Sequence, residues 1–311
     1  MLARVRELAI PPAWRDVWIC LDAQGHLQAT GTDAAGRKQY LYHQRWREQR
    51  DRAKFRDMER FAERLPKLRR AVAAGLKGDE PSAARVLACA VRLLDVGLFR
   101  VGGEEYAEQG GGLGLATIRR EHVSFAGDGV LFDYPAKSGV RRVHEVSDRE
   151  AIAVLRALMR RRGGPEELLA YRERNRWHRV RSDDINHYIQ AGIGQQFSAK
   201  DFRTWNGTVL AAVALAGHGP PPGSKTGSRR VMNSVAKQVA EVLGNTPAVA
   251  RRAYIDPRVF DRYLSGWTIR GAVDGLERIG EGDSPGRRRL ERAVLDLIQE
   301  DEDSSAIKIA G

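Results

Sequence analysis

The chain has 311 residues with 52 Lys and Arg against 40 Asp and Glu, a formal charge of +12, and its 42% hydrophobic content excludes a disordered polyelectrolyte and provides for a core. The basic excess points to a polyanionic partner, nucleic acid first. No apolar run approaches the roughly 18 residues of a membrane span and Met1 to Ile10 has no signal-peptide core, so a cytoplasmic protein without a membrane partner is expected.

Val17–Leu21 and Leu27–Thr32 read as strands joined by the turn Asp22-Ala-Gln-Gly25, and a third strand follows at Lys38–Tyr42. Alternation on that strand sets Tyr40 and Tyr42 on one face and Gln39 and Leu41 on the other. Basic residues beside aromatics suit nucleic-acid contact, and plain packing would also account for them. From Gln44 to about Lys77 the pattern is helical and densely charged, with Trp46, Phe55, Met58, Phe61 and Leu65 inward and Pro66 expected as a break. Gly78-Asp-Glu-Pro-Ser82 reads as a linker, which divides the chain into a β-rich domain with trailing helices, 1–78, and a mostly helical domain, 79–311. Cys20 and Cys89 are far apart in apolar patterns, read as buried thiols, and argue against a disulfide framework and a cysteine-built metal site.

The second domain opens with a helix over Ala83–Leu98, followed by Arg100 in apolar surroundings, where a guanidinium needs an anionic partner or a route to solvent. Gly110–Gly114 has no Gly-Lys-Ser/Thr after it, so a nucleotide-binding loop is rejected. Strands at Val123–Phe125, Gly129–Tyr134 and Arg141–Val146 form a meander with Lys137 at the tip of its second hairpin, where an ammonium is either simply solvated or placed as a general acid. A helix over Asp148–Arg161, a hairpin of Leu168–Tyr171 with Trp177–Val180, and a serine-capped helix from Ser182 to Ala191 come next. Ser198-Ala-Lys-Asp201 resembles a capping box, which sets Lys200 and Arg203 close together at the start of a helix through Leu215. After the loop Gly217–Gly227, a helix with Val231, Val235, Val239 and Val242 ends at Gly244, and a turn leads to a short helix carrying Arg251, Arg252 and Tyr254. A helix to about Ser265, a glycine-rich break, a Ser284-Pro285 start to a last helix and an acidic, frayed tail complete the chain.

A tyrosine, two arginines and a hairpin lysine fit in-line attack of a phenol on a phosphodiester. A phenol ordinarily titrates near pH 10, so cations must stabilise both the phenolate and the charge on the nonbridging oxygens, and the leaving alkoxide needs a proton. A packed tyrosine would also explain Tyr254 taken alone. Neither metal nor nucleotide is required, and the carboxylates show no metal-ligand spacing.

Seven segments occur in one family's order: Ile10-Pro-Pro-Ala-Trp14, Gly36-Arg-Lys-Gln-Tyr-Leu-Tyr42, Leu93 to Ala107, Gly114-Leu-Ala-Thr-Ile-Arg119, Ala136-Lys-Ser-Gly139, Lys200-Asp-Phe-Arg-Thr-Trp205, and Gly244-Asn-Thr-Pro through Tyr254. Together they resemble the bacterial, poxvirus-type DNA topoisomerases of type IB. The resemblance implies an α+β fold in which a small β-rich domain and a larger, mostly helical catalytic domain with a small β meander form a clamp on double-stranded DNA. It implies Tyr254 as the nucleophile of a 3′-phosphotyrosyl intermediate, Arg100 and Arg203 on the phosphate oxygens, and Lys137 as the acid for the leaving 5′ oxygen. Gln39, Tyr40, Tyr42, Tyr106 and Lys200 are the implied DNA contacts, and a monomer acting without cofactor, nucleotide or metal is expected.

Two departures stand out. Eukaryotic and poxvirus relatives carry a histidine where this chain has Asn245, which can donate a hydrogen bond to phosphate but cannot carry a charge. The Ile10 segment also lies nearer the start than in similar bacterial proteins, so a shorter clamp half is expected. A tyrosine recombinase is the nearest rival; those enzymes usually show His-x-x-Arg where this chain has Lys200-Asp-Phe-Arg203. A non-catalytic DNA-binding protein on the same scaffold is the rival from another class.

Overall fold

The computed structural model describes residues 2–273 and 284–309 and divides into two compact units, Met1–Asp57 and Met58–Gly311. In the first unit a short helix α1 (Leu2–Glu7), which the sequence pattern did not announce, precedes an antiparallel sheet of β1 (Arg15–Ile19), β2 (Leu27–Thr32) and β3 (Lys38–Tyr42). β1 starts and ends two residues before its expected position: it pairs from Arg15 opposite Thr32 to Ile19 opposite Ala29, and Leu21 beyond it is 81% exposed. Cys20 is half-buried, whereas Cys89 is fully buried and burial pushes its thiol pKa up. Asp33 closes the β2–β3 turn by accepting from the amides of Ala35 and Arg37, with Gly36 at φ +75°. Arg37 also donates to this carboxylate and, opposing the slight penalty of burial, holds it down to about 2.

The units divide inside α2 (Gln44–Gly75), and Gly78–Ser82 connects two helices of the second unit. Pro66 does not break α2. Its missing amide costs one helical hydrogen bond, but Phe61, Leu65, Leu68 and Val72 are all buried around it, and their removal from water outweighs that loss. Phe61 meets Phe202 and Phe197 edge-on, with ring centroids 5.1 and 5.6 Å away.

α3 (Ala83–Gly97) starts where Ser82 Oγ accepts from Arg85 N and stops at Leu98, a left-handed residue at φ 53°. It buries Val86, Val91, Leu93 and Leu94 and is the central helix of this unit. A short α4 (Glu104–Glu108) leads to the expected meander, β4 (Val123–Ala126), β5 (Gly129–Pro135) and β6 (Arg141–Val146) in sequential antiparallel order, then α5 (Arg149–Arg160). The next hairpin, β7 (Ala170–Glu173) with β8 (Arg176–Arg179), begins later than expected: Leu168 and Leu169 are buried ahead of it, and Leu168 N donates to Ile118 O.

α6 (Ser182–Ile193) differs in its cap: Arg181 N donates to Asp184 Oδ2, which frees Ser182 to donate through both N and Oγ to Glu104. α7 (Ala199–His218) has the expected box, Ser198 N donating to Asp201 Oδ2 at 2.7 Å. α8 (Lys225–Leu243) ends at Gly244 in the left-handed conformation, φ 60°. α9 (Pro247–Ala253), α10 (Pro257–Leu264), β9 (Trp267–Thr268), α11 (Arg270–Val273), α12 (Pro285–Gln299) and β10 (Lys308–Ile309) follow. The glycine-rich break before Ser284 falls largely on 274–283, outside the described residues. The tail through Ile309 is not frayed: Ser304 Oγ donates to Asp296 Oδ2, Ile307 is buried, and β10 pairs with β9.

Candidate active site

Five separated segments of the second unit meet around a cavity of about 430 Å³, whose lining includes Arg100, Tyr106, Lys137, Lys200, Arg203 and Tyr254. Tyr254 sits at the C-cap of α9 and is half-buried. Gly207 on α7 makes its approach possible, since a Cβ there would lie 2.6 Å from Tyr254 O. The cation seen over this phenol comes from α7 and not from the nearby Arg251. Arg251 turns to Asn233 Oδ1 and the Phe260 ring, while the guanidinium carbon of Arg203 lies 5.1 Å from the Tyr254 ring centroid.

The C-terminus of α8 organises the arginines. Helix ends leave carbonyls without intrahelical donors and carry partial negative charge. Here three successive carbonyls accept from β6, α7 and the loop after α3: Val242 O from Arg142 Nη2 at 2.8 Å, Leu243 O from Arg203 Nη2 at 2.7 Å, and Gly244 O from Arg100 Nη2 at 2.7 Å. Arg203 Nη1 also donates to Leu98 O. Burial, reinforced by Arg100, pulls the Arg203 pKa down to about 10, so the group is still charged at neutral pH. None of the three has a carboxylate partner among the described residues, and Arg203 Nε has no hydrogen-bond partner there.

Arg100 is held by the backbone on both sides. Leu115 N and Ala116 N donate to Arg100 O and Val101 O, and Gly102, at φ +82°, lies so close to Gly114 that a Cβ on the latter would come 2.4 Å from Gly102 N. Asn245 does not line the cavity: its Oδ1 accepts from Arg100 Nη2 at 2.7 Å, so its amide orients the arginine.

Lys137 begins the tip turn of the β5–β6 hairpin, exposed and without an ion-pair partner among the described residues. The rejected phosphate-loop glycines find their use here. A Cβ on Gly112, at φ +98°, would strike Ala136 O at 2.2 Å, and a Cβ on Gly111 would meet the Tyr106 ring at 2.6 Å. The glycine run therefore lets the chain pass directly beneath the lysine tip and against Tyr106.

Gln39, Tyr40 and Tyr42 belong to the first unit. Tyr40 is 49% exposed and stacks on Tyr42, which stacks on Trp46 at 4.4 Å, while Gln39 donates to Asp33. The sequence reading missed Ser182 and Asn186, which also line the cavity, and Arg142. Alternation on β6 was a usable signal for Arg142, since Arg142, His144 and Val146 share the less exposed face. A larger hollow of about 630 Å³ by Tyr171, Trp177, His178 and Arg179 lies on the β7–β8 hairpin, but Arg179 there already pairs with Glu167.

A basic α+β protein whose pocket sets a phenol and an ammonium among guanidiniums without carboxylates is suited to a phosphodiester anion. Comparison with known proteins narrows this. Residues 43–264 match the family model of the eukaryotic DNA topoisomerase I catalytic core, and residues 1–33 match that of the bacterial DNA topoisomerase IB N-terminal domain. DNA topoisomerase 1B of Acanthamoeba polyphaga mimivirus is 30% identical over 82% of this chain and 77% of the viral protein. DNA topoisomerase I of monkeypox virus is 23% identical over 77% of this chain and 73% of its own length, and DNA topoisomerase 1 of Candidozyma auris is 28% identical over 50% of this chain and 20% of its own. The chain belongs to the type IB DNA topoisomerase family and is an enzyme of that class. No helix among the described residues is long and apolar enough to cross a membrane.

Proposed function

We propose that this enzyme relaxes supercoiled duplex DNA by transient cleavage of one strand through Tyr254, and that Arg100, Arg203 and Lys137 carry the chemistry with it. The phenolic oxygen, its proton released to water, attacks the phosphorus, the bond from phosphorus to the 5′ oxygen breaks, and a 3′-phosphotyrosyl link replaces it. Arg100 and Arg203 stabilise the charge on the nonbridging oxygens, a contribution of the kind that preorganised donors make to a charged transition state. Lys137, on its mobile-length side chain at the hairpin tip, protonates the leaving 5′ oxygen. Reversal of the same steps reseals the strand after rotation. The bond energy is kept in the protein link, so neither ATP nor a metal ion enters the reaction.

The observation that supports this reading above the others is the convergence of Tyr254, Arg100, Arg203 and Lys137 on one cavity from four separated stretches of chain. Asn245 acts through Arg100. Lys200 and Tyr106 line the same cavity and contact the DNA near the break, and Gln39, Tyr40 and Tyr42 contact the duplex from the first unit. The enzyme works as a monomer in the cytoplasm, without nucleotide.

Relaxation of a negatively supercoiled plasmid in EDTA without ATP, with wild type and Tyr254→Phe side by side, tests the proposal. Wild type relaxes the plasmid and forms a covalent complex, while the Phe variant binds DNA and does neither. Relaxation by the Phe variant would overturn the assignment of the nucleophile. Binding without relaxation by both proteins would favour a non-catalytic role.

A further inference from the structure

We propose that Arg142 binds a second phosphate of the DNA strand, next to the one that Arg100 and Arg203 engage beside Tyr254. The inference rests on the phosphodiester reading of that site.

Arg142 reaches the C-terminus of α8 from β6, and its Nη2 donates to Val242 O. A Cβ on residue 244 would lie 2.4 Å from Arg142 Nη1 and 3.8 Å from Arg100 Nη1, so the two guanidiniums come close together against Gly244. Two like charges side by side repel, and no carboxylate among the described residues offsets them. The residue opposite Arg142 on β5 is Tyr134, a phenol whose pKa burial raises, so it supplies no negative charge. Burial, and the nearby charge of Arg100, correspondingly lower the Arg142 pKa. A row of cations on one helix end is costly for a protein alone and matched to a strand whose phosphates repeat. Arg142 does not line the cavity that holds Tyr254, which assigns it the neighbouring phosphate and not the scissile one.

The plain alternative is that Arg142 only caps Val242. Arg161 shows what such an arginine looks like: its Nη1 and Nη2 donate to Leu158 O, Leu168 O, Pro165 O and Glu167 O, so both terminal nitrogens are occupied. Arg142 has one hydrogen bond among the described residues and keeps donors for a ligand.

The test begins by mapping a cleavage position from the covalent complex of the wild-type protein, then measures binding of that duplex by Tyr254→Phe with and without Arg142→Gln. Glutamine keeps an amide donor for Val242 O and removes the charge. Arg142→Gln is expected to weaken binding about 10-fold at moderate salt and to lower the slope of log K against log salt by about one. A neutral methylphosphonate at one phosphate beside the cleavage position should weaken the Arg142 protein by a similar factor and the Gln variant no further, and Arg142→Lys should restore most of the slope. An unchanged slope, or a methylphosphonate penalty equal in both proteins at every position, would overturn the inference. Absence of any Tyr254 adduct would instead overturn the reading of the site, and the salt slope on an unmapped duplex would still decide whether Arg142 meets a phosphate.

Discussion

Two clusters of arginines in the second unit solve the problem of a guanidinium away from water in opposite ways. In the first, Arg69 donates to both oxygens of Asp95 and of Glu291, and Arg287 donates to Asp95 Oδ1 and Glu291 Oε1, which joins α2, α3 and α12 in a buried network with no net charge. Asn206 of α7 completes it, donating to Asp95 O and accepting from Arg287. In the second, Arg100, Arg142 and Arg203 are held among the described residues by backbone carbonyls, the Asn245 side-chain oxygen and the Tyr254 phenol, with no carboxylate. Carbonyl dipoles hold a guanidinium in place without cancelling its charge. The balanced cluster therefore serves the fold, and the unbalanced one is left with charge to direct at a ligand.

The comparison breaks first at Asp95. Burial alone would raise its pKa, but Arg287 and Arg69 outweigh that and hold it at about 2. Asp95→Asn leaves two buried guanidiniums short of an anion and is expected to cost about 3–5 kcal/mol in urea denaturation. Because the folded pKa is depressed, this stabilisation is fully present above the unfolded value near 4 and is lost as pH falls from there through about 2. The variant should therefore show a flatter acid limb. Loss of cleavage without loss of stability would mean that the balanced cluster is part of the site after all.

Arg203 should behave in the reverse manner. Arg203→Lys keeps one charge but cannot hold Leu98 O, Leu243 O and a phosphate oxygen together, so single-turnover cleavage should fall by roughly 10²–10³-fold while the thermal midpoint drops by a few degrees. A large drop in midpoint with normal cleavage would move Arg203 to the structural group.

What the sequence disclosed about these clusters follows from how local each feature is. Gly244 at a helix end, the Ser198–Asp201 box and the Ser284-Pro285 start are set by a few neighbouring residues, and the structure has all three. Tyr254, Arg100, Arg203 and Lys137 were singled out through the motifs around them, and the fold brings them to one cavity. The order of the carbonyls along α8 was invisible, because it depends on which strand and helix pack against that terminus. Arg142 was missed for that reason, and Arg251, on the same short helix as the phenol, turns to Asn233: adjacency in sequence at a helix C-cap does not give adjacency of side chains. Pro66 and the tail failed from the same cause, since burial at Leu65 and Leu68 and the pairing of β10 with β9 are tertiary.

His144 offers a smaller effect at the edge of the unbalanced cluster. It meets the Phe99 ring edge-on at 5.4 Å, and its Nε2 is buried without a hydrogen-bond partner among the described residues. Burial, aided by Arg142, lowers its pKa to about 4. The folded state thus resists protonation that the unfolded chain accepts near 6.5, so stability should decline as pH falls from about 6.5 to about 4, by up to about 3 kcal/mol. His144→Phe should remove this part of the pH profile, as seen in thermal midpoints across that range. If the decline persists in the variant, His144 is not its source.

The finest distinction comes from Gly244, where the helix end, the two nearby arginines and the left-handed turn coincide. Alanine at this position must adopt φ near 60°, which costs on the order of 1–2 kcal/mol, and its Cβ would sit 2.4 Å from Arg142 Nη1. That atom is the far end of a flexible side chain, so Arg142 will swing aside, while Arg100, 3.8 Å from the same point, can stay. Gly244→Ala should then reproduce the DNA-binding loss of Arg142→Gln, and the double variant should lose little more than either alone, a non-additivity expected when two changes act on one contact. Additive losses would show that Gly244 matters only for the turn that carries Asn245 toward Arg100. In that case the two guanidiniums are held independently, and the α8 terminus is a set of separate caps and not one cationic row.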